Sequence, residues 1–93
     1  MDVNRLGQSQ ATMYEHKTDV FKNKFTAFGW NAIVIDGHSV SAIIGALEKA
    51  RKEDKKPTAI ICKTFKGKGL GEKIEDQLDW HGKDIGDNAA EVV

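Results

Sequence analysis

The chain has 93 residues, with 14 basic and 14 acidic side chains and a formal net charge of zero. This length bounds one small domain or a piece of a larger one, and the charge balance removes any global electrostatic case for nucleic acid. No apolar run reaches the length of a membrane span, no signal peptide is expected at the N-terminus, and the single cysteine, Cys62, has no internal disulfide partner, which fits a reducing, cytoplasmic setting.

Residues 1–16 read as a loop, because Asn4, Gly7 and Ser9 cluster there. Met1-Asp2-Val3 reads as the stub of something that continues upstream. A first helix is predicted from Lys17 to Phe28. Val20, Phe21, Phe25 and Phe28 share one face at helical spacing and are expected to form its core side. Thr18 is the candidate N-cap, Asp19 lies in the first turn, and Gly29 is the natural residue just past the end. Asn31 to Asp36 is a strand. Its run of Ile33, Val34 and Ile35 predicts that both faces are covered. Asp36-Gly37-His38-Ser39 turns into a second helix, with Ser39 as N-cap. That helix runs to about Lys52, with apolar positions at Val40, Ile43, Ile44, Leu47 and Ala50. Pro57 ends any continuation, and Thr58 to Cys62 is a second strand.

The stretch from Lys63 to Lys83 carries the chemistry. It reads Lys-Thr-Phe-Lys-Gly-Lys-Gly, then a polar run, then Asp79-Trp80-His81-Gly82-Lys83. Glycines allow close backbone approach and φ > 0. Successive N–H groups can then form an anion nest, to which lysines add charge. The Walker pattern is absent, and Gly67-Lys-Gly-Leu-Gly-Glu72 lacks the last glycine of the dinucleotide fingerprint. On spacing alone the stretch is either an anion-binding loop or a solvated connection. His16, His38, His81 and Cys62 have no metal-ligand spacing, which disfavours zinc. His16 and His38 are read as structural. The terminal Asp87-Asn88-Ala-Ala-Glu-Val-Val93 reads as the first turn of a helix, capped by Asp87 or Asn88.

Alternating helices and strands with buried strands predict a parallel α/β layer: helix, strand, helix, strand, then a long loop. Two strands are too few for a stable open parallel sheet. The chain is therefore expected to be a fragment, truncated at both ends, of a larger domain whose other strands lie upstream.

Six blocks then occur in a familiar order. They are Asn4-Arg-Leu-Gly-Gln-Ser9, Ala27-Phe-Gly-Trp30, Ile35-Asp-Gly-His-Ser-Val40, Pro57-Thr-Ala-Ile-Ile61, Lys63-Thr-Phe-Lys-Gly-Lys-Gly69 and Trp80-His-Gly-Lys83. In this order they resemble the transketolases, most closely those of the animal type, over essentially the whole chain. The first and last blocks separate this family from related thiamine-diphosphate enzymes such as deoxyxylulose-phosphate synthase.

The resemblance implies the later, C-terminal part of a thiamine-diphosphate-binding N-terminal domain spanning 1–93. It implies a magnesium or calcium ion held by the Asn4 side-chain oxygen and the Leu6 backbone carbonyl, as suits hard cations. It places Lys66 in the cofactor pocket and makes His81 a contact to both cofactor and sugar phosphate, with a catalytic, polar role. The implied parent enzyme is a homodimer of the pentose phosphate pathway. It moves a two-carbon glycolaldehyde unit from a ketose phosphate to an aldose phosphate. The Gly-Asp-Gly half of the cofactor signature and the activating glutamate are not in this sequence, so the chain alone is expected to be inactive. The spans Glu48–Lys56 and Gly69–Trp80 are longer than in the vertebrate enzymes, which loosens the placement of His81 relative to Lys66. The rival reading is a non-catalytic anion-binding or interaction module.

Overall fold

The computed structural model, which describes residues 1–88 and 90, runs β1 (Asp2–Val3), α1 (Thr18–Ala27), β2 (Asn31–Asp36), α2 (Val40–Lys52) and β3 (Thr58–Lys63). Short 3-10 turns follow at Leu78–Trp80 and Gly86–Asn88. The strands form one parallel sheet in the order β1-β3-β2. This is the α/β class that the alternation predicted. Consecutive parallel strands need a crossover, and α2 supplies it between β2 and β3. The register pairs Asn31 with Thr58 and Asp36 with Lys63.

The chain divides into two units. One holds Met1–Val3 and His16–Thr64; the other holds Asn4–Glu15 and the described residues from Phe65 onward. The first unit carries the sheet. Its central strand β3 is its most buried element, with Ile61 fully removed from solvent and Ala59 buried; Val3 of β1 is buried too. Helix α1 packs on β2 and β3, and α2 packs on β2.

Three expectations about the strands and core are corrected. Asp2 and Val3 belong to the sheet rather than to a loop. Cys62 N–H donates to Met1 O at 2.8 Å and Thr64 N–H to Val3 O at 3.0 Å. A two-residue strand shows no alternation, so nothing in its side chains announces it. Val34 is 38% exposed, so β2 is not covered on both faces. In α2 the buried residue is Ala46, whereas Val40, Ile44 and Leu47 are exposed. The periodicity located the helix, but its apolar stripe is wider than the surface α2 meets.

The ends of α1 show where local chemistry wins. Lys17, not Thr18, is the N-cap, and no side chain caps the helix. The Thr18 N–H is already used, donating to His16 O at 2.8 Å. At the other end, Gly29 takes φ 86°, a conformation that costs glycine little. Gly29 N–H donates to Thr26 O at 3.0 Å and Trp30 N–H to Phe25 O at 3.0 Å. This pair of bonds is a Schellman motif, and its usual apolar contact is present. The Phe25 and Trp30 ring centroids lie 5.3 Å apart. Phe28, at the C-cap, has left the helical stripe and is 86% exposed, which corrects its expected place in the core.

Ser39 is the N-cap of α2, as its position predicted. Its hydroxyl accepts from Ala42 N–H at 3.2 Å. Asp36 Oδ1 accepts from His38 N–H at 2.9 Å, so the turn itself accounts for this segment. Ser39→Ala is expected to destabilise the chain by about 1 kcal/mol. A urea midpoint unchanged from wild type would show that α2 does not depend on this cap. Asp87 and Asn88, the two candidate caps, lie in the Gly86–Asn88 turn, and Ala90 is helical. The rest of that expected helix, residues 89 and 91–93, lies outside the described residues.

Candidate functional site

The second unit holds the residues expected to form the site: Asn4, Leu6, Lys66 and His81. Asn4 opens it with an Asx turn in which Oδ1 accepts from Leu6 N–H at 3.0 Å. Leu6 then faces Ala11 in an isolated antiparallel bridge. The bonds of that bridge run from Gly7 N–H to Gln10 O at 2.7 Å and from Thr12 N–H to Arg5 O at 2.8 Å. They leave the Leu6 carbonyl out of the ladder. One short turn thus presents two oxygens of the kind a hard cation takes: a carbonyl outside the ladder and an amide oxygen with a second lone pair. Both are neutral. Among the described residues no cluster of three or more His, Cys, Asp or Glu could hold a metal ion. Two neutral oxygens in one turn are compatible with part of a magnesium or calcium shell.

Arg5, between these two residues, is tied to the far end of the unit's sequence. Its Nε–H donates to both carboxylate oxygens of Asp76, at 2.8 and 2.9 Å. Its Nη2–H donates to the Asp76 backbone oxygen at 3.0 Å. Glu15 adds a looser ion pair at 3.8 Å. Hydrogen bonding to Asp76 raises the Arg5 pKa above its ordinary value, and the charges of Asp76 and Glu15 act in the same direction. Nothing in the spacing pointed to Asp76, which stands 71 residues from Arg5.

The Lys-Gly-Lys-Gly loop does bind an anion, and the anion is the chain's own. Gly69 N–H donates to Glu75 Oε2 at 2.9 Å, and Lys68 Nζ donates to Glu75 Oε1 at 3.2 Å. Gly67 and Gly69 take φ of 68° and 87°, so the backbone has the left-handed turns that the glycines suggested. Lys68 also lies 5.4 Å from the Phe65 ring centroid. Lys66 is half-buried, and its backbone oxygen accepts from Asp76 N–H at 2.8 Å.

His81 is exposed and follows the Leu78–Trp80 turn. The Trp80 indole anchors that turn by donating to Lys73 O at 3.1 Å. His81 lines a cleft of about 340 Å³ with Gln8, Ser9, Leu78, Asp79 and Lys83. The first and last sequence blocks therefore meet: Gln8 and Ser9 come from one, His81 and Lys83 from the other. Asn4, Leu6 and Lys66 do not line this cleft.

All 93 residues match the family described as transketolase, thiamine diphosphate binding domain. The chain belongs to this family. It is 45% identical to human transketolase over its full length. It is 46% identical to bovine transketolase-like protein 2 and 49% identical to the mouse protein of that name, each over 99% of the chain. It spans 14% of the length of each of these relatives. The transketolase blocks read from the sequence are thus the blocks of its own family. Among the described residues no helix is long and apolar enough to cross a membrane.

Proposed function

We propose that this chain supplies part of the diphosphate-binding domain of a transketolase, and that the parent enzyme passes glycolaldehyde units from ketose to aldose phosphates. The observation that carries this reading is the meeting, in one unit, of the Asn4–Ser9 block and the Trp80–Lys83 block around a polar cleft. Thiamine diphosphate, when bound, supplies the electron sink that lets the donor carbon–carbon bond break. Asn4 Oδ1 and the Leu6 carbonyl would hold the magnesium or calcium ion that accompanies the diphosphate. Lys66 brings positive charge to the diphosphate. His81 hydrogen-bonds substrate hydroxyls, a role that suits an exposed imidazole. The parent works as a cytoplasmic homodimer, and the chain alone is inactive in sugar-phosphate transfer.

Calorimetric titration with thiamine diphosphate and magnesium tests this reading. The chain is expected to bind the cofactor only with the metal present, and Lys66→Ala is expected to weaken binding about tenfold, the loss of one charge-assisted contact. Binding that ignores both metal and Lys66 would count against it. A non-catalytic interaction module is the alternative, and the exposed Val40, Ile44 and Leu47 on α2 favour it. Its mark is a concentration-dependent size together with indifference to the cofactor.

A further inference from the structure

Among the described residues, three other than glycine have positive φ: Arg5 at 63°, Glu15 at 45° and Asp76 at 60°. Residues with side chains adopt this backbone at a cost, and it persists where the surroundings over-determine it. Here all three are members of one ion cluster. Arg5 gives Asp76 three hydrogen bonds, two to the carboxylate and one to the backbone, and Glu15 stands on its other side. Arg5 also bears the carbonyl that receives both the N–H and the hydroxyl of Thr12, at 2.8 and 3.1 Å. It therefore fixes the turn through its backbone and the distant loop through its side chain.

We propose that Arg5 is a positioning residue: its clamp on Asp76 sets the orientation of the Asn4 and Leu6 oxygens, and through them the affinity for a divalent cation bound with a diphosphate. This rests on the reading that these two oxygens face the metal. Arg5 has no part in the chemistry. Its planar guanidinium takes the Asp76 carboxylate and the adjoining backbone oxygen together, which a lysine ammonium, as a point charge, does not reproduce. The clamp also ties the metal turn to the segment that leads into Trp80 and His81.

The test uses the whole 93-residue chain as wild type, Arg5→Lys, Asp76→Asn and the charge swap Arg5→Asp/Asp76→Arg. Amide hydrogen exchange is read by NMR, with magnesium-dependent thiamine diphosphate affinity measured on the same samples. In Arg5→Lys and Asp76→Asn, the Leu6, Gly7 and Thr12 amides are expected to exchange at least about tenfold faster, while the amides between β2 and β3 keep their rates. Cofactor affinity is expected to fall about tenfold, and the charge swap to recover part of both losses. Unchanged exchange at Leu6 and Thr12 overturns the clamp. Faster exchange with wild-type affinity overturns the positioning role and leaves a structural contact. A wild-type chain that binds no cofactor, with the expected exchange pattern, leaves the clamp standing but overturns the metal reading and Arg5's role toward it.

Discussion

Ile61→Ala is expected to cost about 2–5 kcal/mol, the range for removing three carbons from a packed interior. Ile61 is the one large side chain fully removed from solvent among the described residues, and it sits on the strand with a neighbour on either side. A domain of this size has a total stability of only about 5–15 kcal/mol, so the substitution takes most or all of the stability of a chain at the lower end. Ile61→Val, which removes one methyl, is expected to cost about 0.5–1.5 kcal/mol. Urea unfolding followed by circular dichroism would show both, with the alanine midpoint lower by about 1 M or more. If the two variants unfolded together near the wild-type midpoint, β3 would not be the centre of the core.

The second large effect is expected at Gly37, where the fault is crowding rather than a void. Gly37 N–H donates to Lys63 O at 2.8 Å, which draws the turn after β2 against the end of β3. A Cβ placed there would lie 2.9 Å from the Cys62 Cβ and 3.1 Å from Lys63 O, and would meet the Thr64 methyl as well. Two of these neighbours belong to backbone or to a Cβ and cannot swing aside. Thr64 is also held, because its hydroxyl donates to the Asp2 carboxylate. Gly37→Ala is therefore expected to destabilise by about 1–3 kcal/mol, the usual cost of overpacking. Gly29→Ala in the same background strains φ but finds no atom within 4 Å. Should Gly37→Ala melt with the wild type, the close approach at the end of β3 would be refuted.

Much of the fold was legible because it is local. The Ser39 cap, the Gly29 stop and the strand Asn31–Asp36 all depend on residues within a few positions of each other. Helix faces were less legible. Val40, Ile44 and Leu47 carry the right period, but which part of a wide stripe is covered depends on what packs against it, and the main partner of α2 is β2. Strand β1 left no trace, since two residues joined by backbone bonds need no particular side chains. At the candidate site, the glycine–lysine loop read either as an anion-binding loop or as a solvated connection, and Glu75, which fills it, was not foreseen. Any nearby carboxylate satisfies a loop of that kind, so sequence does not select one. The Arg5–Asp76 clamp was invisible for the same reason at longer range.

The slight first strand has a consequence for the order of assembly. Strands β2 and β3 pair across a short excursion; their side chains already touch between residues 27 positions apart, Asn31 and Thr58. Joining β1 closes a loop about twice as long, with Met1 reaching Ile60 over 59 positions. Each doubling of a closed loop costs about 0.6 kcal/mol of chain entropy, and here a strand of only two residues must offset it. The buried side chain of Val3 is its main reward. The β2-α2-β3 unit, Asn31–Lys63, is therefore expected to form first, with β1 docking late onto a surface already formed. On the way out the sequence reverses: β1 peels away before the rest of the sheet opens, and the Cys62 and Thr64 amides lose protection while those between β2 and β3 remain closed.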